Sequence, residues 1–191
     1  MENKLDARLR AIADLVEEAV SGKADPWFAD IGCDHGYLTA HLLEQCAQLR
    51  AVASDVSAPS LEKAKTLLSA RKLTDRATLA VADGLAAIDK RVDAIVIAGM
   101  GTQTILKIVR EGKERIGGTA LIVQSNVDLP ALRIGLAALG FAVHEEKYTE
   151  AAGRYYVTML ARSAEEERLD ERRALLGCAV EGLADDMMRG Y

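Results

Sequence analysis

Trp27-Phe28-Ala29-Asp30-Ile31-Gly32-Cys33-Asp34-His35-Gly36-Tyr37-Leu38 passes from a short apolar run into a polar turn with two glycines and then into a helical pattern. A run of five residues from Trp27 to Ile31 suits a buried strand, and Tyr37 to Cys46 has the apolar spacing of a helix. The carboxylate of Asp30 stands at the strand's end. Gly32 and Gly36 leave the backbone of the turn bare, so a ligand can approach it closely. The spacing differs from the Gly-x-Gly-x-x-Gly loop that cradles a diphosphate. On this loop alone, a plain strand-to-helix turn is an equal reading.

Outward from this unit the same alternation repeats. Before it, Leu5, Leu9, Ile12, Leu15, Val16 and Val20 share one face of a lead-in helix. After it, the pattern predicts strands at Ala51 to Ser54, Ala77 to Val81, Val92 to Ala98 and Ala120 to Gln124. Helices are expected at Ser57 to Lys72, Thr102 to Arg115 and Leu129 to Leu139, with Ser57 as a cap and Pro59 in the first turn. Two final strands, Phe141 to Tyr148 and Arg154 to Ala161, are joined by a connection around Gly153 too short for a parallel crossover, so they pair antiparallel. The fold class is therefore α/β: a Rossmann-like, mostly parallel seven-stranded sheet with a late antiparallel hairpin, the layout of class I methyltransferases. Residues 1–162 form that domain and 163–191 a short helical extension, with Leu169, Leu175, Leu176, Val180 and Leu183 as its apolar positions.

The strand ends carry the candidate chemistry. Asp30 with Gly32 and Gly36 can receive an amino group, and Asp55 can accept hydrogen bonds from two ribose hydroxyls. Asp83 and Gly84 can hold an adenine amino group, while Ala98, Gly99 and Met100 form a small-residue loop at the fourth strand. Each has a plainer local reading as a cap or turn. Together they line the sheet edge where open α/β sheets bind ligands, and the absence of a diphosphate loop favours S-adenosylmethionine over a nicotinamide dinucleotide. No metal is required for methyl transfer from a sulfonium.

Asp30-Ile31-Gly32-x-Asp34-His35-x-Tyr37-Leu38, then Ala98-Gly99-Met100-Gly101, then Gln124-x-Asn126, resembles the bacterial TrmK family of tRNA adenine N1 methyltransferases. The resemblance runs from Arg8 and Leu9 to about Leu160. It implies methylation of adenine N1 in tRNA, at position 22, with S-adenosylmethionine as donor and tRNA as partner. Cys33, Gly36, Thr39, Thr102 and Ser125 depart from the family's usual residues, and the tail is shorter than the family's.

Adenine N1 has an in-plane lone pair and no proton to lose, so alignment and charge stabilisation are the main requirements. Asp34 is the candidate acceptor for the exocyclic amino group, with His35 as positioning group or alternative proton acceptor. Gln124 and Asn126 are candidates for the purine edge, and Tyr37 for stacking on the base. Lys107, Arg110, Arg133 and Arg154 are candidates for the RNA backbone, against the reading of an ordinary solvated surface.

The net charge of −5, and a tail from Ala161 onward with five basic against eight acidic residues, exclude general electrostatic attraction to nucleic acid. Three scattered cysteines match no zinc or disulfide pattern, and no apolar run approaches the ~20 residues of a membrane span. A cytoplasmic protein is expected, with the oligomeric state left open. A small-molecule methyltransferase and an inactive cofactor- or RNA-binding module are the alternatives, and a dehydrogenase is the weakest.

Overall fold

The computed structural model describes residues 5–164 and 171–177. The expected tail positions Leu169, Val180 and Leu183 lie outside them. Helix α1 (Ala7–Val20) precedes β1 (Trp27–Ile31), α2 (Tyr37–Gln45), β2 (Arg50–Asp55), α3 (Ala58–Ala70), β3 (Ala77–Val81) and β4 (Ala94–Met100). There follow α4 (Thr102–Glu111), α5 (Lys113–Ile116), β5 (Ala120–Ser125), α6 (Leu129–Ala138), β6 (Phe141–Ala151), β7 (Arg154–Ser163) and α7 (Glu171–Leu176).

The strands form one sheet in the order β3-β2-β1-β4-β5-β7-β6. β1 to β5 pair in parallel, and β7 is antiparallel to both β5 and β6. Reversal of strand order at β1 and β4 opens a crevice at their C-terminal ends. The central strands are apolar on both faces because both are covered. On one face Ile95, Ile97, Leu121 and Val123 pack with Ile105 of α4 and Leu132 of α6. On the other, Phe28, Val96 and Ile122 pack with Ile12, Leu15 and Val16 of α1 and with Leu42 of α2.

Local chemistry sets the boundaries. Ser57 accepts from the Ser60 N–H and caps α3. The expected single helix from Thr102 to Arg115 is instead two, broken at Gly112, where any side chain would run into Leu85. β6 and β7 meet through Ala152 and Gly153, with φ of 51° and 71°, the left-handed pair that suits a two-residue hairpin turn. β4 runs on to Met100, two residues beyond the expected strand, because Gly99 bulges without ending the pairing with β5. No helix among the described residues is long and apolar enough to cross a membrane.

Candidate functional site

The loop after β1 is pinned to β2: the N–H groups of Gly32 and Cys33 both donate to the Ser54 carbonyl, at 2.8 and 2.9 Å. Gly32 takes φ 74°, and a Cβ there would strike the methyl end of Met100. Asp34 also takes a left-handed φ of 48°, which a non-glycine residue adopts only when its surroundings hold it. Its N–H donates to Asp55 Oδ2 at 3.0 Å, and its carboxylate meets His35 Nδ1 at 2.5 Å. Asp34 does not cap α2, since Gly36 occupies that position without a side-chain bond.

A cavity of about 380 Å³ opens here, lined by Arg8, Asp30, Gly32, Asp34, His35 and Tyr37 with Ala98 and Gly99. Asp30 is buried and its carboxyl is pushed up to about 6, chiefly by loss of water and further by the nearby charge of Asp55, against a 2.6 Å hydrogen bond from the Thr39 hydroxyl. A ligand's ammonium group would relieve that desolvation. Asp55 accepts from the N–H groups of Asp34 and Ser57, one on each oxygen, and each oxygen keeps a free lone pair. Asp30 and Asp55 thus offer the kind of acceptors that the amino group and ribose of S-adenosylmethionine would need. Asp83 is exposed at the end of β3, and Gly84 follows with φ 53°. For Asp34, desolvation works against ionisation. Hydrogen bonding and the charge of His35, with help from Ser60, nevertheless hold its carboxyl below the usual range. The Cys33 thiol is pushed well above its ordinary range by burial and by Asp30 and Asp55, so it stays protonated at neutral pH. His35 and Tyr37 stack with ring centres 5.9 Å apart.

A second cavity of about 360 Å³ is lined by Asp6, Arg8, Gly99, Asn126, Arg154, Tyr155 and Tyr156. Arg8 and Gly99 line both cavities, so the two meet there. The junction is built by the bulge at Gly99, whose φ is 75°. Gln124 Oε1 accepts from the Gly99 N–H at 3.2 Å and from Arg8 Nη1 at 3.1 Å, and Gln124 Nε2 donates to Ser125 O and Asn126 Oδ1. Asn126 Nδ2 completes the clamp by donating to the Gly99 carbonyl at 3.0 Å.

The structure therefore gathers Asp30, Gly32, Asp34, His35, Tyr37, Ala98 and Gly99 around the first cavity, and Asn126 and Arg154 around the second. Gln124 departs from the expected purine contact: it is fully buried and its amide is engaged within the protein. Arg133 requires a plain correction. It is buried, forks onto Glu146 at 2.6 and 3.2 Å and donates to the carbonyls of Ala174 and Leu175, so it fastens α7 to α6 and cannot meet RNA phosphate. Lys107 and Arg110 are exposed on α4 and line neither cavity, and Lys107 pairs with Glu111. Arg8 was not among the expected site residues. Its spacing from Ile12 and Leu15 sets it on the buried stripe of α1, where a charged residue needs a partner.

The family described as "Methyltransferase domain" matches residues 5–159. The tRNA (adenine(22)-N(1))-methyltransferase of Bacillus subtilis is 29% identical over 168 residues, which cover 87% of this chain and 68% of that protein. The crystal structure of the B. subtilis M1A22 tRNA methyltransferase TrmK superposes with a TM-score of 0.82 at 27% identity, covering 96% of this chain and 79% of that one. Streptococcus pneumoniae Sp1610, solved with S-adenosyl-L-methionine, gives a TM-score of 0.84 at 28% identity over 95% and 83% of the two chains. With its fold, glycine-bearing loop and strand-end carboxylates in these places, the chain belongs to the methyltransferase-domain family and, within it, to the TrmK family.

Proposed function

We propose that this chain transfers a methyl group from S-adenosylmethionine to N1 of an adenine in tRNA, at position 22. The observation that carries the reading is the meeting of two cavities at Gly99 and Arg8, one with acceptors for the cofactor and one open to a base. The bound cofactor supplies an electrophilic methyl group on a sulfonium. Asp30 holds its amino group, Asp55 its ribose, and the loop of Gly32 and Gly36 lets it lie against the backbone. Asp83 and Gly84 border the place for its adenine.

The acceptor base enters beside Asn126. Asn126 Oδ1 takes one hydrogen bond from Gln124 and keeps a lone pair for the exocyclic amino group of the base. Accepting that hydrogen bond pushes electron density toward N1 and stabilises the cationic product. Gln124 acts as a positioning residue by fixing Asn126, Gly99 and Arg8 relative to one another. The charged Asp34 carboxylate, hydrogen-bonded to His35, lines the donor cavity, where it stabilises the positive charge that the base acquires on methylation. Tyr37 extends this wall, and Arg154 with Arg8 supplies the local positive charge that an acidic protein needs near RNA phosphate.

Incubating the purified protein with unmodified tRNA and labelled S-adenosylmethionine, then digesting the RNA, tests this reading. Labelled 1-methyladenosine is expected. Labelled methyl on another nucleoside, or none in RNA despite cofactor binding, would reject it.

A further inference from the structure

Beyond the second cavity lies a third hollow of about 480 Å³, whose walls include Val127, Pro130, Tyr148, Tyr155, Val157 and Leu176. Asn126 and Tyr155 line both hollows, so cofactor cavity, acceptor cavity and third hollow follow one another as a continuous track. Its surface is unusually apolar for one in contact with water. Nine large apolar side chains are exposed among the described residues, and five of them, Val127, Tyr148, Tyr155, Leu175 and Leu176, surround this hollow. Tyr155 is 83% exposed and stands between the two hollows beside Arg154.

We propose that this hollow is a second base site, which takes the nucleobase adjacent in the RNA chain to the adenine being methylated. The proposal rests on the tRNA reading above. Adenine N1 lies on the pairing edge, so the target base has to leave its stack before N1 can reach a methyl donor, and its neighbour then loses a stacking partner. A tyrosine ring with an apolar floor replaces that partner irrespective of base identity. Arg154, at the mouth of the acceptor cavity, lies where the phosphate linking the two nucleotides would pass. Chain continuity dictates the occupant: a nucleotide in the acceptor cavity carries its neighbour toward the hollow that shares Asn126 and Tyr155.

The test uses full-length tRNA carrying 2-aminopurine at one or the other nucleotide flanking the methylated adenine. Binding to the wild-type protein should quench the fluorophore on one side. Tyr155→Phe should retain the quenching, whereas Tyr155→Ala should abolish it and raise KM for tRNA about tenfold, with the affinity for S-adenosylmethionine unchanged. Thermal melting of both variants should match the wild type, which separates loss of stacking from loss of fold. Equal quenching by wild type and Tyr155→Ala, or none on either side while the RNA is still methylated, would overturn the second base site alone. Absence of any RNA methylation by the wild type would overturn the tRNA reading and the second base site with it.

Discussion

Replacing Asp30 by asparagine should make the cofactor-free protein more stable while weakening its hold on the cofactor. The carboxyl is raised from 3.8 to about 6 mainly by burial, so at pH 7.5 the folded chain carries a charge that the unfolded chain would solvate better. Between about pH 4 and 6 the folded state binds a proton that the unfolded state does not, and the stability of the cofactor-free wild type therefore falls as pH rises through that window. A shift of two units corresponds to about 3 kcal/mol. Asp30→Asn keeps an oxygen for the Thr39 hydroxyl and removes the charge, so the melting temperature of the variant at pH 7.5 should rise by about 5–10 °C. The cofactor's amino group loses a charge-assisted hydrogen bond, which should weaken binding about 10- to 100-fold. Wild-type affinity should also drop about tenfold per pH unit below 6, as protons compete with the ammonium group, whereas the variant should show no such dependence. Melting scans and calorimetric titration between pH 5 and 8 measure all three. A variant that melts no higher than wild type, or binds the cofactor as tightly, would refute the assignment of Asp30.

Gln124→Leu leaves the buried Ser125 carbonyl without its partner, at about 1–3 kcal/mol, and frees the Gly99 N–H, so it should lower both the melting temperature and the rate of methyl transfer. Arg133→Ala removes the guanidinium paired with the buried Glu146 carboxylate and should cost about 3–5 kcal/mol in denaturant unfolding. Asp34→Asn should slow turnover while cofactor affinity, read by titration, stays unchanged. Because the Asp34 carboxyl lies below its ordinary range, it stays charged from pH 5 to 8 and should impose no loss of turnover within that window, a point that a pH–rate profile checks.

Much of the fold is legible in short apolar runs. Trp27 to Ile31 and Ala77 to Val81 coincide with β1 and β3 because turn residues bound them on both sides. Gly153 announces the hairpin turn through local backbone freedom. Boundaries fail where distant atoms decide them. Nothing local to Ala98-Gly99-Met100 says that the pairing continues past a bulge, since the groups holding that bulge belong to Gln124 on the neighbouring strand and Asn126 just past its end. The donor side of the site, Asp30, Asp34 and Asp55, is readable because each residue stands at or just beyond a strand end. The acceptor side is less so. Arg8 reaches it from the first helix and Tyr155 from the last hairpin, and only the folded sheet brings them to the same crevice. Arg133 resembles a surface cation in sequence, yet its partner Glu146 lies on another element.

Methyl transfer to a tRNA transcript with adenine at position 22, set against the same transcript with guanine there, is the most direct measurement of what this chain does. Stoichiometric labelling of the first and none of the second, with 1-methyladenosine as the digestion product, is the expected result. Equal labelling of both transcripts, or labelling of neither while the cofactor binds, would contradict it.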